Sequence, residues 1–169
     1  IRVGGYETFS KNITTTFHSL KARILNFQTK MRSKKVTKEH YDIGDDLYMA
    51  FLDPYNQYTC AYFKDTEDLN KAQENKMDLI SRKLQLKPTD RVLDIGCGWG
   101  GFAKWMTEKY GCKVTGINLA EGQIAYAKNH SANQNTEFIQ MDYRDIPVKL
   151  TGTFDKIVSV GMFEHVGYK

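Results

Sequence analysis

Apolar positions along the chain change their period several times, and each change marks an element. Phe17, Leu20, Ile24, Phe27 and Met31 alternate spacings of three and four, which predicts an amphipathic helix from Thr16. The residues before it, with Gly4, Gly5 and a threonine run, show no such period and read as loop. Leu47, Tyr48, Phe51 and Leu52 suit a short helix opened by Gly44 and Asp45 and ended by Asp53-Pro54. Asp68 to Leu84 predicts a longer helix with Leu69, Ala72, Leu79, Ile80 and Leu84 facing inward. Lys87-Pro88-Thr89-Asp90 then turns the chain into a short buried strand of Val92, Leu93 and Ile95. After a run of glycines, Phe102, Ala103, Trp105 and Met106 recur at helical spacing, in a helix that reaches about Lys109 and stops at Gly111, a natural left-handed cap. The remaining pattern predicts a strand over Lys113 to Ile117, a helix over about Glu121 to Asn129, a strand over Glu137 to Gln140 and a fourth strand over about Asp155 to Val160. Strands alternating with helices imply an α/β fold with a parallel sheet wound right-handedly and a ligand across the carboxyl ends of its strands.

Composition narrows this picture. A chain of 169 residues with 41% hydrophobic content buries one substantial core, so residues 1–39 read as an arm on a body formed by residues 40–169. No apolar run has the length of a membrane span, and the first residues lack the charged-then-apolar pattern of a signal peptide. Cys60, Cys97 and Cys112 are an odd number without CxxC spacing, which argues against a disulfide framework or a metal site and fits a reducing cytoplasm. The net charge of +4 matters through its distribution: Lys21, Arg23, Lys30, Arg32, Lys34, Lys35 and Lys38 cluster on the arm. Such a face is either solvated, with the helix packed on its apolar side, or a surface that meets anionic phospholipid. No recognition motif accompanies the charge, so nucleic acid is not an expected partner.

Candidate chemistry centres on RVLDIGCGWGG, residues 91–101, where a strand feeds a helix through glycines and leaves backbone N–H groups and a positive helix end at the crossover. Gly96, Gly98 and Gly101 satisfy the dinucleotide fingerprint GxGxxG, whereas Asp94, Gly96, Gly98 and Gly100 satisfy the DxGxG turn of S-adenosylmethionine (SAM) methyltransferases. A nicotinamide site also wants an acidic residue about 20 residues on, at the end of the second strand. The residue there is Asn118, and Trp99 crowds the space a pyrophosphate would take; both favour SAM, with a purely structural turn as the other reading. By position at the strand ends, Gln123 can donate to ribose hydroxyls, and Asp142 and Tyr143 can take the adenine amino group and cover its face. An ordinary loop role is the alternative for each. Seven aromatic residues (Tyr41, Tyr48, Phe51, Tyr55, Tyr58, Tyr62 and Phe63) crowd residues 41–63, and Tyr58-Thr59-Cys60 adds two hydroxyls and a thiol. Such a stripe is core or a ligand chamber. His40 and His130 have no partner that spacing identifies and read as structural, whereas His165, beside Glu164, reads equally as a capping or packing residue or a titrating one.

Four stretches, HYDIGDDLY, QYTCAYF, VLDIGCGWGGFA and VGMFEHVG, together resemble, in the same order, the cyclopropane fatty-acyl-phospholipid synthases, bacterial enzymes that bridge a lipid double bond with a methylene group from SAM. The resemblance covers roughly residues 20–169. It implies a class I SAM-methyltransferase, Rossmann-like parallel sheet, incomplete at its C-terminal side, with a helical N-terminal segment, so that residues 40–169 would be the N-terminal part of a catalytic domain. It implies SAM bound with Gly96 and Gly98 facing its methionine part, Tyr58 and Thr59 closing over it, and Gln123 on the ribose. It also implies a bicarbonate site drawing on Cys60 and Glu164, with Glu164 orienting the anion that takes the proton. Further residues of that site lie later in the family's sequence, which leads to the expectation of an exposed fourth strand and weak activity for this stretch alone. Thr59 stands where serine is usual, Asn56 where methionine is, Asn118 where threonine is, and Asp45 where asparagine is.

The implied partner is a phospholipid bilayer surface with unsaturated acyl chains, met from the cytoplasm at the inner membrane face, with a homodimer left open as the assembly. Two other functions fit the same residues: a SAM-dependent C-methyltransferase that stops before ring closure, and a non-catalytic membrane-surface or SAM-binding module.

Overall fold

The computed structural model describes residues 45–147 and 150–166. The basic helix expected near residues 16–31, the arm as a whole and His40 lie outside the described residues. A short helix α1 (Asp45–Met49) and an irregular stretch lead to α2 (Leu69–Leu84). Four strands follow, β1 (Arg91–Ile95), β2 (Lys113–Asn118), β3 (Thr136–Gln140) and β4 (Lys156–Val158), with α3 (Gly101–Tyr110) after β1 and α4 (Glu121–Tyr126) after β2.

All strand pairs are parallel and their order is β3-β2-β1-β4. The chain winds outward from β1 through β2 to β3 and then returns to the other side of β1. The point where winding reverses, between the carboxyl ends of β1 and β4, is where open parallel sheets hold ligands. Apolar side chains make this arrangement the stable one: Val92 and Val114 in the strands, Met106 and Ala103 from α3, Met77 from α2, and Phe138 from β3 form one buried cluster. Asp155 fixes the entry to β4 by accepting the Arg91 N–H at 2.8 Å.

Several boundaries and burials differ from the sequence pattern. The fourth strand covers only Lys156–Val158, shorter than the expected 155–160, and lies at the sheet edge with Ile157 exposed. Asp68 is the cap rather than the first residue of α2, its carboxylate accepting the Lys71 N–H at 2.7 Å. The helix after β2 changes to π geometry over Ala127–Ser131. Leu69 is exposed, and the buried positions of α2 are Ala72, Gln73, Lys76, Met77 and Ser81. The face is partly polar because α2 packs against irregular backbone, which needs donors as well as apolar contact. Gly111 ends α3 in the left-handed conformation, its N–H bonded to the Thr107 carbonyl.

Candidate functional site

The turn after β1 carries Gly96, Gly98 and Gly100 at positive φ, where a side chain would be strained. Its N–H groups are less available than the sequence implies. Those of Gly96 and Cys97 both reach the Ile117 carbonyl, at 2.8 and 3.1 Å, and that of Gly100 reaches the Cys97 carbonyl. What the turn offers is space: a methyl group built on Gly98 meets no atom within 4 Å. A pyrophosphate cradle needs N–H groups, and three of them are already spent inside the protein.

Beneath that space lies Asp94, 3% exposed, between Gly116 of β2 and Val158 of β4. No described residue donates a hydrogen bond or a positive charge to its carboxyl group, and burial pushes its pKa up to about 7. The neighbouring Cys97 thiol is raised well above its ordinary value, by burial first and by Asp94 second. A desolvated, unpaired carboxyl group beside an open turn suits a cationic ligand.

At the end of β2, Asn118 donates to Gln123 Oε1 at 2.6 Å and accepts the Leu119 N–H at 2.8 Å. Asn118 thereby fixes the buried carboxamide of Gln123 with its NH₂ end turned away, as a donor with no other bond among the described residues. Past β3, Asp142 caps a short 3-10 turn, and both its carboxylate oxygens are engaged by Arg144. The Arg144 guanidinium also lies over the Tyr143 ring, 5.7 Å from its centroid.

The aromatic segment sits on this edge of the sheet. Trp99, 2% exposed, lies 5.0 Å from the Tyr48 ring and 6.5 Å from the Tyr58 ring, each measured between centroids. Tyr48 in turn meets Tyr58 at 5.2 Å and Phe51 at 5.9 Å. The segment is pinned at its base by close approach: a methyl group on Gly101 would lie 1.6 Å from the Tyr55 carbonyl oxygen, so only glycine fits where α3 begins. Asp53 folds the segment back by accepting the N–H groups of Tyr55 and Gln57, at 3.0 and 2.6 Å. Asn56 reaches the Tyr126 hydroxyl at 3.2 Å, and the Tyr126 ring stacks on exposed His130, 4.2 Å between centroids.

The segment after β4 closes the edge. A methyl group on Gly96 would lie 2.6 Å from Met162 Cβ, and one on Gly161 would lie 2.5 Å from Thr59 Cγ2. Thr59 therefore packs where β4 ends, beside the residue that covers the glycine turn. Cys60 and Glu164 are exposed on the two stretches that meet there, Glu164 in a 3-10 turn over Phe163–His165, and no hydrogen bond joins them. Leu47, Phe51, Tyr58, Phe63 and Phe163 remain exposed, at 49–74% for all five when taken together. That is a concentration of apolar surface on the segments around the site.

All the sequence-expected positions thus lie at or beyond the carboxyl ends of the strands or on the segment packed over them. Three residues escaped the sequence reading: Gln73, Lys76 and Asp53. The available signal was the polar pair Gln73 and Lys76, three apart on an α2 face that otherwise turns inward.

Comparison with known proteins adds the following. The family model described as mycolic acid cyclopropane synthetase matches residues 28–169. The cyclopropane-fatty-acyl-phospholipid synthase of Escherichia coli (strain K12) is 45% identical over the whole chain, which covers 43% of that protein. A probable fatty acid methyltransferase of Pseudomonas putida is 42% identical over 76% of the chain and 34% of its own length. Among solved structures, mycolic acid cyclopropane synthase CmaA1 in complex with SAH and CTAB superposes with a TM-score of 0.71 at 36% identity, covering 80% of this chain and 48% of that one. The chain spans less than half the length of each of these proteins.

Proposed function

The chain belongs to the mycolic acid cyclopropane synthetase family, and from that premise we propose that it is the SAM-binding part of a lipid cyclopropane synthase. The proposed reaction transfers a methylene group from SAM to the cis double bond of an unsaturated fatty acyl chain in a phospholipid. One observation carries the reading: the aromatic segment with Tyr58 and Thr59 packs on the glycine turn, through Trp99 and through Gly161. A nucleotide site and an apolar chamber therefore share one wall.

SAM, when bound, supplies an electrophilic methyl group on a positively charged sulfur. The residues present fit it: the open space at Gly98 leaves room for the methionine part beside Gly96, and Asp94 offers a buried carboxylate to its positive charge. Gln123, oriented by Asn118, donates to the ribose hydroxyls. Tyr143 covers the adenine face, and Asp142 accepts from its amino group. Tyr58 and Thr59 close over the methionine end.

An alkene is a poor nucleophile, so this chain's contribution is to align the double bond and exclude water. The aromatic faces of Tyr48, Phe51 and Tyr58 also stabilise positive charge on the acyl chain, by about 0.5–2 kcal/mol each where dry. Glu164, by accepting an O–H, and Cys60, by a weak S–H or backbone contact, would hold bicarbonate, which supplies the proton acceptor that ring closure requires. No helix among the described residues is long and apolar enough to cross a membrane. The proposed location is the inner membrane surface, reached from the cytoplasm, with the basic arm of residues 1–39 toward anionic headgroups.

Incubating a full-length protein that carries this stretch with SAM and vesicles of unsaturated phospholipid, followed by mass spectrometry of the acyl chains, tests this. A methylene-bridged chain supports it, and an unchanged lipid spectrum counts against it. The likeness to a probable fatty acid methyltransferase favours a second reading, methylation without ring closure, and the same spectrum separates the two because that product retains hydrogens that ring closure removes.

A further inference from the structure

We propose that Gln73 is a positioning residue for Tyr58, the ring that closes over the methionine end of SAM. The inference rests on the SAM-site reading above and extends it to a side chain of α2. The Gln73 carboxamide is 4% exposed and donates to the carbonyls of Gln57 and Thr59, at 3.1 and 3.0 Å. Those residues stand on either side of Tyr58, so one buried NH₂ group grips the chain before and after it.

Both neighbours of Tyr58 are anchored to buried side chains, while Tyr58 itself is open. Gln57 gives its N–H to Asp53, which is 2% exposed, at 2.6 Å, besides giving its carbonyl to Gln73. Thr59 accepts from the Lys76 ammonium through Oγ1 at 2.7 Å and turns its methyl carbon to Gly161. The Tyr58 side chain between them is 56% exposed and meets Tyr48, Phe51 and Trp99 edge-on, with centroids 5.2, 6.3 and 6.5 Å away. A ring held by edge contacts and otherwise open takes its place from the backbone that carries it.

Filling space does not account for the glutamine. Its Oε1 is buried and has no hydrogen-bond partner among the described residues, a cost that an apolar side chain of similar size would not carry. The opposite orientation of the amide would set Oε1 against both carbonyls, so the position uses its donors. The same device recurs on α2: Asn75 donates to the carbonyls of Tyr62 and Lys64, at 3.4 and 2.9 Å, on either side of Phe63, another exposed ring. The two carboxamides hold different parts of one irregular stretch. Of the two, Gln73 flanks the ring that meets Trp99 in the glycine turn.

A fluorinated tyrosine in place of Tyr58, read by fluorine NMR in a full-length protein that carries this stretch, reports where the ring sits; calorimetry with SAH reports its use. Wild-type protein that binds no SAH, or binds it without moving the Tyr58 resonance, overturns the SAM-site reading and the inference with it. Given that movement, Gln73→Met is expected to shift and broaden the resonance in ligand-free protein and to lose about fivefold in SAH affinity. In a Tyr58→Ala background the same substitution is expected to change SAH affinity by less than about twofold, because Gln73 then has no ring to position. Asn75→Ala removes a comparable clamp from the same helix, and both readouts are expected to stay at wild-type values. The inference is wrong if Gln73→Met leaves either readout as in wild type, or if its loss of affinity persists in full without Tyr58. It is also wrong if Asn75→Ala does the same damage, which marks a general staple. Gln73→Asn keeps a buried carboxamide but draws its donors back by one methylene: should Gln73→Met not fold, a wild-type resonance and affinity in Gln73→Asn overturn the inference.

Discussion

Replacing Asp94 by asparagine removes the buried carboxyl group beside the glycine turn while keeping its shape. In the folded chain this group titrates near pH 7 because burial, with no compensating donor, disfavours its charge; the ordinary value is 3.8. Between those values the folded chain holds a proton that the unfolded chain has released. Stability contributed by this group is therefore full below about pH 4 and falls as pH rises toward 7. The difference corresponds to a loss on the order of 4 kcal/mol once the pH is above both values. A neutral carboxamide at this position carries no such penalty. Urea denaturation of ligand-free protein is expected to show Asp94→Asn more stable than wild type at about pH 8 by a few kcal/mol, and close to it at about pH 4. SAM should reverse the ranking: its positive charge favours ionised Asp94, so wild-type affinity rises as pH passes through 7 and the variant's does not. A stability difference that is constant with pH, or SAM binding by the variant equal to wild type at alkaline pH, would refute the reasoning.

Other perturbations separate the parts of the site. Gly101→Ala forces a methyl group onto the Tyr55 carbonyl, 1.6 Å from where its carbon would sit; the expected cost is about 2 kcal/mol or more in denaturation, together with weaker SAH binding as the aromatic segment lifts. Asn118→Ala frees the Gln123 carboxamide, and calorimetry should show SAH affinity reduced about fivefold with the melting temperature little changed. Met106→Ala opens a cavity in the fully buried cluster and should destabilise by about 2–5 kcal/mol, with SAH affinity of the folded protein unaltered. Glu164→Gln should slow lipid turnover in the vesicle assay by about tenfold or more while SAH affinity stays within about twofold.

Strand and helix periods carry most of the fold, because β1 and β2 bury apolar residues along most of their length and α2 and α3 stop at residues in the left-handed conformation. Gly111 and the Asp94-to-Gly101 turn are legible for that reason. The edge strand β4 was overestimated because burial of Val160 next to the core imitates strand periodicity after pairing with β1 has ended. The α2 face was misjudged for a different reason. Its partner is the irregular stretch from Gln57 to Lys64, so polar residues turn toward that backbone and bond it: Gln73, buried, to Gln57 and Thr59, and half-buried Asn75 to Lys64 at 2.9 Å. Hydrophobic periodicity has no term for such contacts. The turn's N–H groups were likewise read as open, because their engagement by the Ile117 carbonyl depends on β2 lying alongside, a tertiary fact. The bond by which Arg144, two residues on, curls back onto Asp142 is likewise a tertiary fact that spacing does not show.

The central claim is that the glycine turn and the aromatic segment form one chamber that holds a sulfonium nucleotide against an acyl chain. A crystal structure of the protein with SAH tests it most directly. The account predicts SAH over Gly96 and Gly98, with its ribose on Gln123, its adenine at Tyr143 and its sulfur beneath Tyr58. SAH bound away from the carboxyl ends of β1 and β2, or Tyr58 and Glu164 facing away from its sulfur, would contradict it.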